Sequence, residues 1–476
     1  MAKNLVGVRG SFFDFVDDPW KFIGQEEKSA RFYSDGLLVT ENGIIRDFGP
    51  FEKVSQKYPN LHFTHIKNRL ILPGFIDGHV HVPQTRVIGS FGEQLLGWLQ
   101  QWIFPEEMKY KDRSYAREGA RQCLDNLLAA GTTTCQAYTT SFAVSTEEFF
   151  EEASRRNMLV VGGLTGIDRF APDEYIDTAQ NFQRDTARLI KTYHRTGRNI
   201  YAITPRFALG ASHDLMVACQ NLKREFPDAW VHTHISENPS EITQLKQFHQ
   251  CNDYLSVYEK YDLVGKKFTG GHGVYLSDDE FRRIAKADAA ITFCPCSNFF
   301  LGSGMFRLGR ATDPEHRIRL TFGTDVGAGN RFSMINVLDE AYKVGMCNNT
   351  MLDGSIDPRN QNLPEAERNK LSPYRAFYSL TLGGAHGLYL DDRIGNFEVG
   401  KEADFVVLDW AAGQRAIAWH ESLLVGANGP QTMDEAAQLL FSIMILGDDR
   451  NVDETWIMAE RVYQKTVSEQ TASARK

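Results

Sequence analysis

From about residue 70 onward, short apolar runs rich in β-branched residues alternate with longer stretches whose apolar positions recur every three to four residues. Eight short runs stand out: RLILPGFIDGHVHV, TTTCQAY, MLVVGGLT, NIYAITPRF, WVHTHIS, KFTGGHGVYL, AAITFCP and IRLTFGTD. The stretches between them read as helices. SYAREGARQCLDNLLAAG has Gly131 placed to end it, and SHDLMVACQNLKREF has Ser212 placed to cap its start. Strands joined by helices pair in parallel, and eight such repeats predict an α/β fold, a closed (β/α)8 TIM-type barrel over residues 71–390.

The flanks follow another rhythm. Residues 1–70 contain GLLVTENGIIRDFGP, two alternating runs around Glu41-Asn42-Gly43, which is a hairpin signal. Residues 391–476 contain IGNFEVGKEADFVVLD and TWIMAERVYQ, also strand-like. Neither flank can bury much apolar surface alone, so they predict one small β-sandwich domain drawn from both termini. The tail KTVSEQTASARK reads as unordered.

A barrel of this kind carries its chemistry at the C-terminal ends of the strands. The polar residues of the eight runs fall there: His79 and His81 on the first, Arg206 on the fourth, His232 and His234 on the fifth, His272 on the sixth and Asp325 on the eighth. Side chains at i and i+2 of a strand leave the same face, so His79 and His81 can reach one point. With one imidazole from the fifth run and Asp325 they fill the ligand list of a catalytic metal site. Taken singly, each is equally well a satisfied core or rim residue. Their joint placement at one rim favours a shared site.

Composition narrows the setting. Hydrophobic residues make up 42%, and 61 acidic against 52 basic side chains leave a formal charge of -9 with no block of like charge. That excludes an electrostatic footprint for nucleic acid or for a membrane surface. No segment approaches about 18 consecutive apolar residues, and MAKNLVGVRGSFFDFVDD lacks a secretory pattern, so a cytoplasmic protein is expected. Seven scattered cysteines fit a reducing compartment. Cys294 and Cys296 flank one proline, the wrong spacing for a CxxC motif, and read as core thiols.

The ordered set PGFIDGHVH, HTHISEN, GHG and GTD resembles the metal-dependent amidohydrolase superfamily, from Leu72 to GKEADFVVLD. The resemblance implies His79, His81, His234 and Asp325 as metal ligands, His272 beside the attacking water, and Glu237 as proton shuttle. Many members carry a carboxylated lysine at the end of strand four. Arg206 stands there instead and stays protonated, so one metal is expected, zinc by default, with iron also accepted by such a site. HVHVPQ with Gln84, the insert GEQLLGWLQQWIFPEE, PRF and GTDVGAG resemble the guanine deaminase branch. That branch implies guanine as substrate, xanthine and ammonia as products, and a homodimer. The alternative is a sister enzyme acting on another amino-purine or an amino-triazine.

The residue chemistry agrees with the resemblance. Arg206 and Gln84 can donate to the purine 6-oxygen, and Phe207 can pack on the ring face. An amine at position 6 would set donor against donor, at about 1–3 kcal/mol for each buried donor left unpaired. The plain alternatives are an ion pair for Arg206 and core packing for Phe207. In the insert, Trp98, Trp102 and Phe104 recur at helical spacing, which fits either a core stripe or a lid over residues 91–105.

Overall fold

The computed structural model describes residues 5–92, 94–350, 363–412 and 429–466. Eight parallel strands, β1 (Phe75–His81), β2 (Thr132–Tyr138), β3 (Leu159–Gly163), β4 (Asn199–Pro205), β5 (Trp230–Ile235), β6 (Phe268–His272), β7 (Ala290–Phe293) and β8 (Arg319–Phe322), pair in chain order. The β8–β1 seam is joined just beyond the ladder. Asp325 N donates to His79 O at 2.8 Å and His81 N to Val326 O at 2.9 Å. Every residue of β1, β2 and β4 is buried, as expected of parallel strands covered on both faces.

The helices start and stop where their caps stand. Asp112 accepts from Tyr115 N at 2.8 Å ahead of the helix Arg113–Ala129, and Gly131 follows it at φ 84. Ser212 accepts from Leu215 N at 3.2 Å to open His213–Glu225.

The run read as the first barrel strand is two strands. Phe63–Pro73 belongs to a second sheet, and β1 begins only after Gly74. A Cβ at Gly74 would lie 2.1 Å from Thr133 Oγ1, so the backbone passes from one sheet to the other where only glycine fits.

The second sheet has seven strands in the spatial order Glu460–Gln464, Val452–Ile457, Phe405–Leu408, Phe63–Pro73, Leu5–Phe15, Ala30–Glu41, Ile44–Pro50. Both termini therefore contribute, joined where Val406 pairs antiparallel with Leu72. The predicted hairpin closes at Glu41↔Ile44, with Asn42 and Gly43 both left-handed at φ 54 and 79, as a type I′ turn requires. Alternation gives the sheet two faces. Phe12, Ile71, Phe405 and Val407 pack with one another, whereas Phe13, Leu70, Leu72 and Val406 join the barrel's core.

A helix over Met433–Leu446, unread in the sequence, packs against the barrel helices Met334–Cys347 and Pro373–Leu380. At the foot of β4, Arg198 ties the two parts together through Glu402 at 2.7 Å and Asp404 at 2.5 Å. Cys294 and Cys296 are buried free thiols, as read. Among the described residues no helix is long and apolar enough to cross a membrane. The expectation for the tail falls largely on 467–476, outside the described residues.

Candidate active site and metal centre

At the C-terminal mouth of the barrel, β1, β5 and the turn after β8 bring four ligand atoms together. His79 Nε2 and His81 Nε2 each lie 3.2 Å from His234 Nε2, and they lie 3.3 and 3.1 Å from Asp325 Oδ1. All four atoms fall within 4.8 Å of one another. A tetrahedral ion with ligand bonds near 2.0–2.1 Å sets its ligand atoms about 3.3 Å apart, so the donor set fits a single small cation. The protonation states fit as well. Burial pushes the His79, His81 and His234 imidazoles down, His81 to about 4, so they are neutral lone-pair donors at pH 7. Burial pushes the Asp325 carboxyl up, but the surrounding imidazoles outweigh it and hold the group well below the usual carboxylate range.

Neighbouring groups set the rings' orientation. His234 Nδ1 donates to Arg206 O at 2.5 Å, which leaves Nε2 as the lone-pair nitrogen. His81 stacks on Tyr138, ring centroids 4.5 Å apart. His232, the other histidine of β5, is not in the cluster. Its Nε2 lies 3.4 Å from His79 Nδ1, so it backs a ligand instead of being one.

The acid–base groups stand beside this cluster. Glu237 is buried in the turn after β5; its Oε1 accepts from Ser303 Oγ at 3.2 Å and its Oε2 lies 3.5 Å from His272 Nε2. Burial and the nearby Asp325 push the Glu237 carboxyl up to about 8, so it carries a proton at neutral pH. His272 Nδ1 donates to Asn298 Oδ1 at 2.9 Å, and Nε2 faces Asp325 Oδ2 at 3.7 Å. His272 and Asp325 both adopt left-handed backbone, φ 73 and 49, a strained choice for residues with a Cβ and one typical of functional positions.

A cavity opens onto these groups, and Gln84, Trp98, Arg206 and Phe207 line it together with Glu237 and His272. Arg206 Nη1 donates to Glu107 Oε2 at 2.7 Å, and Gln84 Nε2 donates to Glu107 Oε1 at 2.9 Å.

The family model for the Amidohydrolase family matches residues 70–462. The chain belongs to the amidohydrolase family. A guanine deaminase of Escherichia coli (strain K12) is 40% identical over 468 residues, covering 97% of this chain and 98% of that relative. A crystal structure of guanine deaminase from Bradyrhizobium japonicum superposes with a TM-score of 0.95 at 67% identity, over 97% of this chain and all of that one. One from C. acetobutylicum with bound guanine in the active site gives 0.82 at 25% identity, over 97% of this chain and 100% of that one.

This amidohydrolase thus assembles the residues singled out in its sequence around one metal-competent cluster. Two readings left open in the sequence are resolved. Arg206 forms a buried ion pair and lines the cavity as well, and Phe207 is both packed and cavity-facing. In the insert, Trp98 forms cavity wall, Phe104 is wholly buried against Tyr175, and Trp102 is 36% exposed. Glu107, Asn298 and Ser303 were missed. Asn298 lies in the six-residue helix Pro295–Phe300 and Ser303 just beyond it, and in the sequence no apolar period of CPCSNFFLGSGMF marks their contacts. Glu107 did leave a signal: an acid in an apolar insert needs a partner if buried.

Proposed function

We propose that the chain is a guanine deaminase that hydrolyses guanine to xanthine and ammonia. The observation that carries this is one cavity in which a protonated carboxyl, Glu237, and two donors fitted to a purine oxygen, Arg206 and Gln84, meet the four-ligand cluster. We further infer a single metal held by His79, His81, His234 and Asp325, zinc by default over iron, since a given nitrogen and oxygen site binds zinc more tightly than ferrous iron. Residues 71–390 form the catalytic barrel on this view, between 1–70 and 391–476 of the β domain. A homodimer is carried by the resemblance alone, and a cytoplasmic location by the seven scattered cysteines.

Bound there, the metal lowers the pKa of water towards about 7 and so supplies a nucleophile at neutral pH. Asp325 takes the proton that water loses as its oxygen bonds to C2 of guanine. Glu237 gives its proton to N3, so the ring nitrogen does not build up charge. His272 Nε2, with its proton on Nδ1, is free to hold the incoming oxygen in line. The proton on Asp325 then passes to the departing amine, the C2–N bond breaks, and the C2 hydroxyl proton returns to Glu237 as the carbonyl forms. Ammonia and xanthine leave, and both carboxyls are back in their starting states.

Purified protein mixed with guanine should show the ultraviolet change of conversion to xanthine, with ammonia released one for one. Turnover of another amino-purine or an amino-triazine, with guanine untouched, would transfer the activity to a sister enzyme.

A further inference from the structure

We propose that Glu107 is the positioning residue of the purine-recognition face, one buried carboxylate that aims both the Arg206 guanidinium and the Gln84 amide into the cavity. The proposal rests on the guanine reading and deepens it. Glu107 is fully buried at the end of the insert helix Phe104–Glu107. Its Oε2 accepts from Arg206 Nη1 at 2.7 Å and from the Tyr175 hydroxyl; its Oε1 accepts from Gln84 Nε2 at 2.9 Å. Arg206 and Gln84 line the cavity, whereas Glu107 does not, so it acts through them.

The chemistry of the contacts fixes both donors. Gln84 Oε1 accepts from Gly327 N at 3.1 Å while its amide nitrogen meets the carboxylate. Turning the amide over would set oxygen against carboxylate and N–H against N–H, so one orientation survives and one amide hydrogen is left to donate elsewhere. Arg206 is held by the same carboxylate, above the Phe104 ring at 5.6 Å. Its charge is matched inside the protein, which leaves its other N–H groups available for a neutral oxygen. The insert after β1 therefore does more than wall the cavity, since Phe104 and Glu107 together set the direction from which a 6-oxygen is met.

The test is Glu107→Gln, a neutral variant of the same shape that can accept from only one of the two donors. The metal content should be unchanged. The KM for guanine should rise by about tenfold or more with kcat within about threefold, because binding and not chemistry loses its donors. The Ki of 2-aminopurine, which lacks the 6-oxygen, should move by less than about threefold. In an Arg206→Met/Gln84→Leu background the same change should add less than about twofold, since both residues through which Glu107 acts are gone. Equal weakening of both ligands, or a full effect in that background, would show a structural role only and overturn the proposal. If Glu107→Gln does not fold, Glu107→Asp keeps the charge but retracts it, and the same split between the two ligands is required. A parental protein that fails to deaminate guanine would overturn the guanine reading and this proposal with it. A variant without ligand selectivity, in a parent that does deaminate guanine, overturns the role of Glu107 alone.

Discussion

Glu237 Oε2 and His272 Nε2 face each other across 3.5 Å at the mouth of the barrel, each anchored from behind by the segment that follows β7. Ser303 holds the carboxyl and Asn298 holds the imidazole, so one connecting segment sets the distance between proton donor and oxygen-orienting group. Neither ring nor carboxyl is free to turn away.

Glu237→Gln should therefore keep metal and bind guanine yet lose turnover by on the order of a hundredfold or more, because an amide of the same shape cannot relay a proton. Steady-state kinetics beside metal analysis separates the two effects. A variant as fast as its parent would remove Glu237 from the mechanism.

Asn298→Ala should cost about ten- to a hundredfold in kcat with the metal retained. The amide oxygen is what keeps the proton on His272 Nδ1; without it the ring can take the other tautomer, and Nε2 no longer accepts. An unchanged kcat would mean that the fold around β6 fixes the ring unaided.

The cluster of three imidazoles and one carboxylate predicts about one zinc or iron per chain. Stripping it with a chelator should abolish activity and lower Tm, since the ligands crowd at 3.1–3.3 Å without the ion to reward their approach. Elemental analysis finding two tightly held ions, or active protein with none, would contradict the single site.

How much of this was legible in the chain differs by residue. His79 and His81 announced themselves because strand period is a local property and puts i and i+2 on one face. Arg206, His272 and Asp325 were placed because each ends a recognisable run, and a barrel gathers run ends at one rim. Glu107 and Ser303 were not, because their partners lie 99 and 66 residues away and no local period encodes such contacts. The boundary at Gly74 was hidden for the opposite reason: RLIL and FIDGHVH are both apolar and β-rich, and only the near collision with Thr133 shows that they part there.

The same limits apply to the link between the barrel and the terminal sheet, which rests on Arg198 and its two carboxylates. Arg198 is 8% exposed and Asp404 6%, so Arg198→Met would leave Asp404 buried without its cation. Breaking a buried pair from one side costs about 3–5 kcal/mol, and the low end is expected because Glu402 keeps Arg393 as a partner. The loss has a signed pH dependence. Burial already pushes the Asp404 carboxyl above its ordinary value, with Arg198 opposing that push. Removing Arg198 raises it further. A carboxyl whose folded value exceeds its unfolded one destabilises the fold in full above the folded value, and the penalty fades as pH falls from the folded value towards the unfolded one. Relative to its parent, Arg198→Met should thus lose more stability at about pH 8 than at about pH 5. Denaturant melts of both proteins at the two pH values measure this, and an equal deficit at both would show that Arg198 contributes packing and not charge.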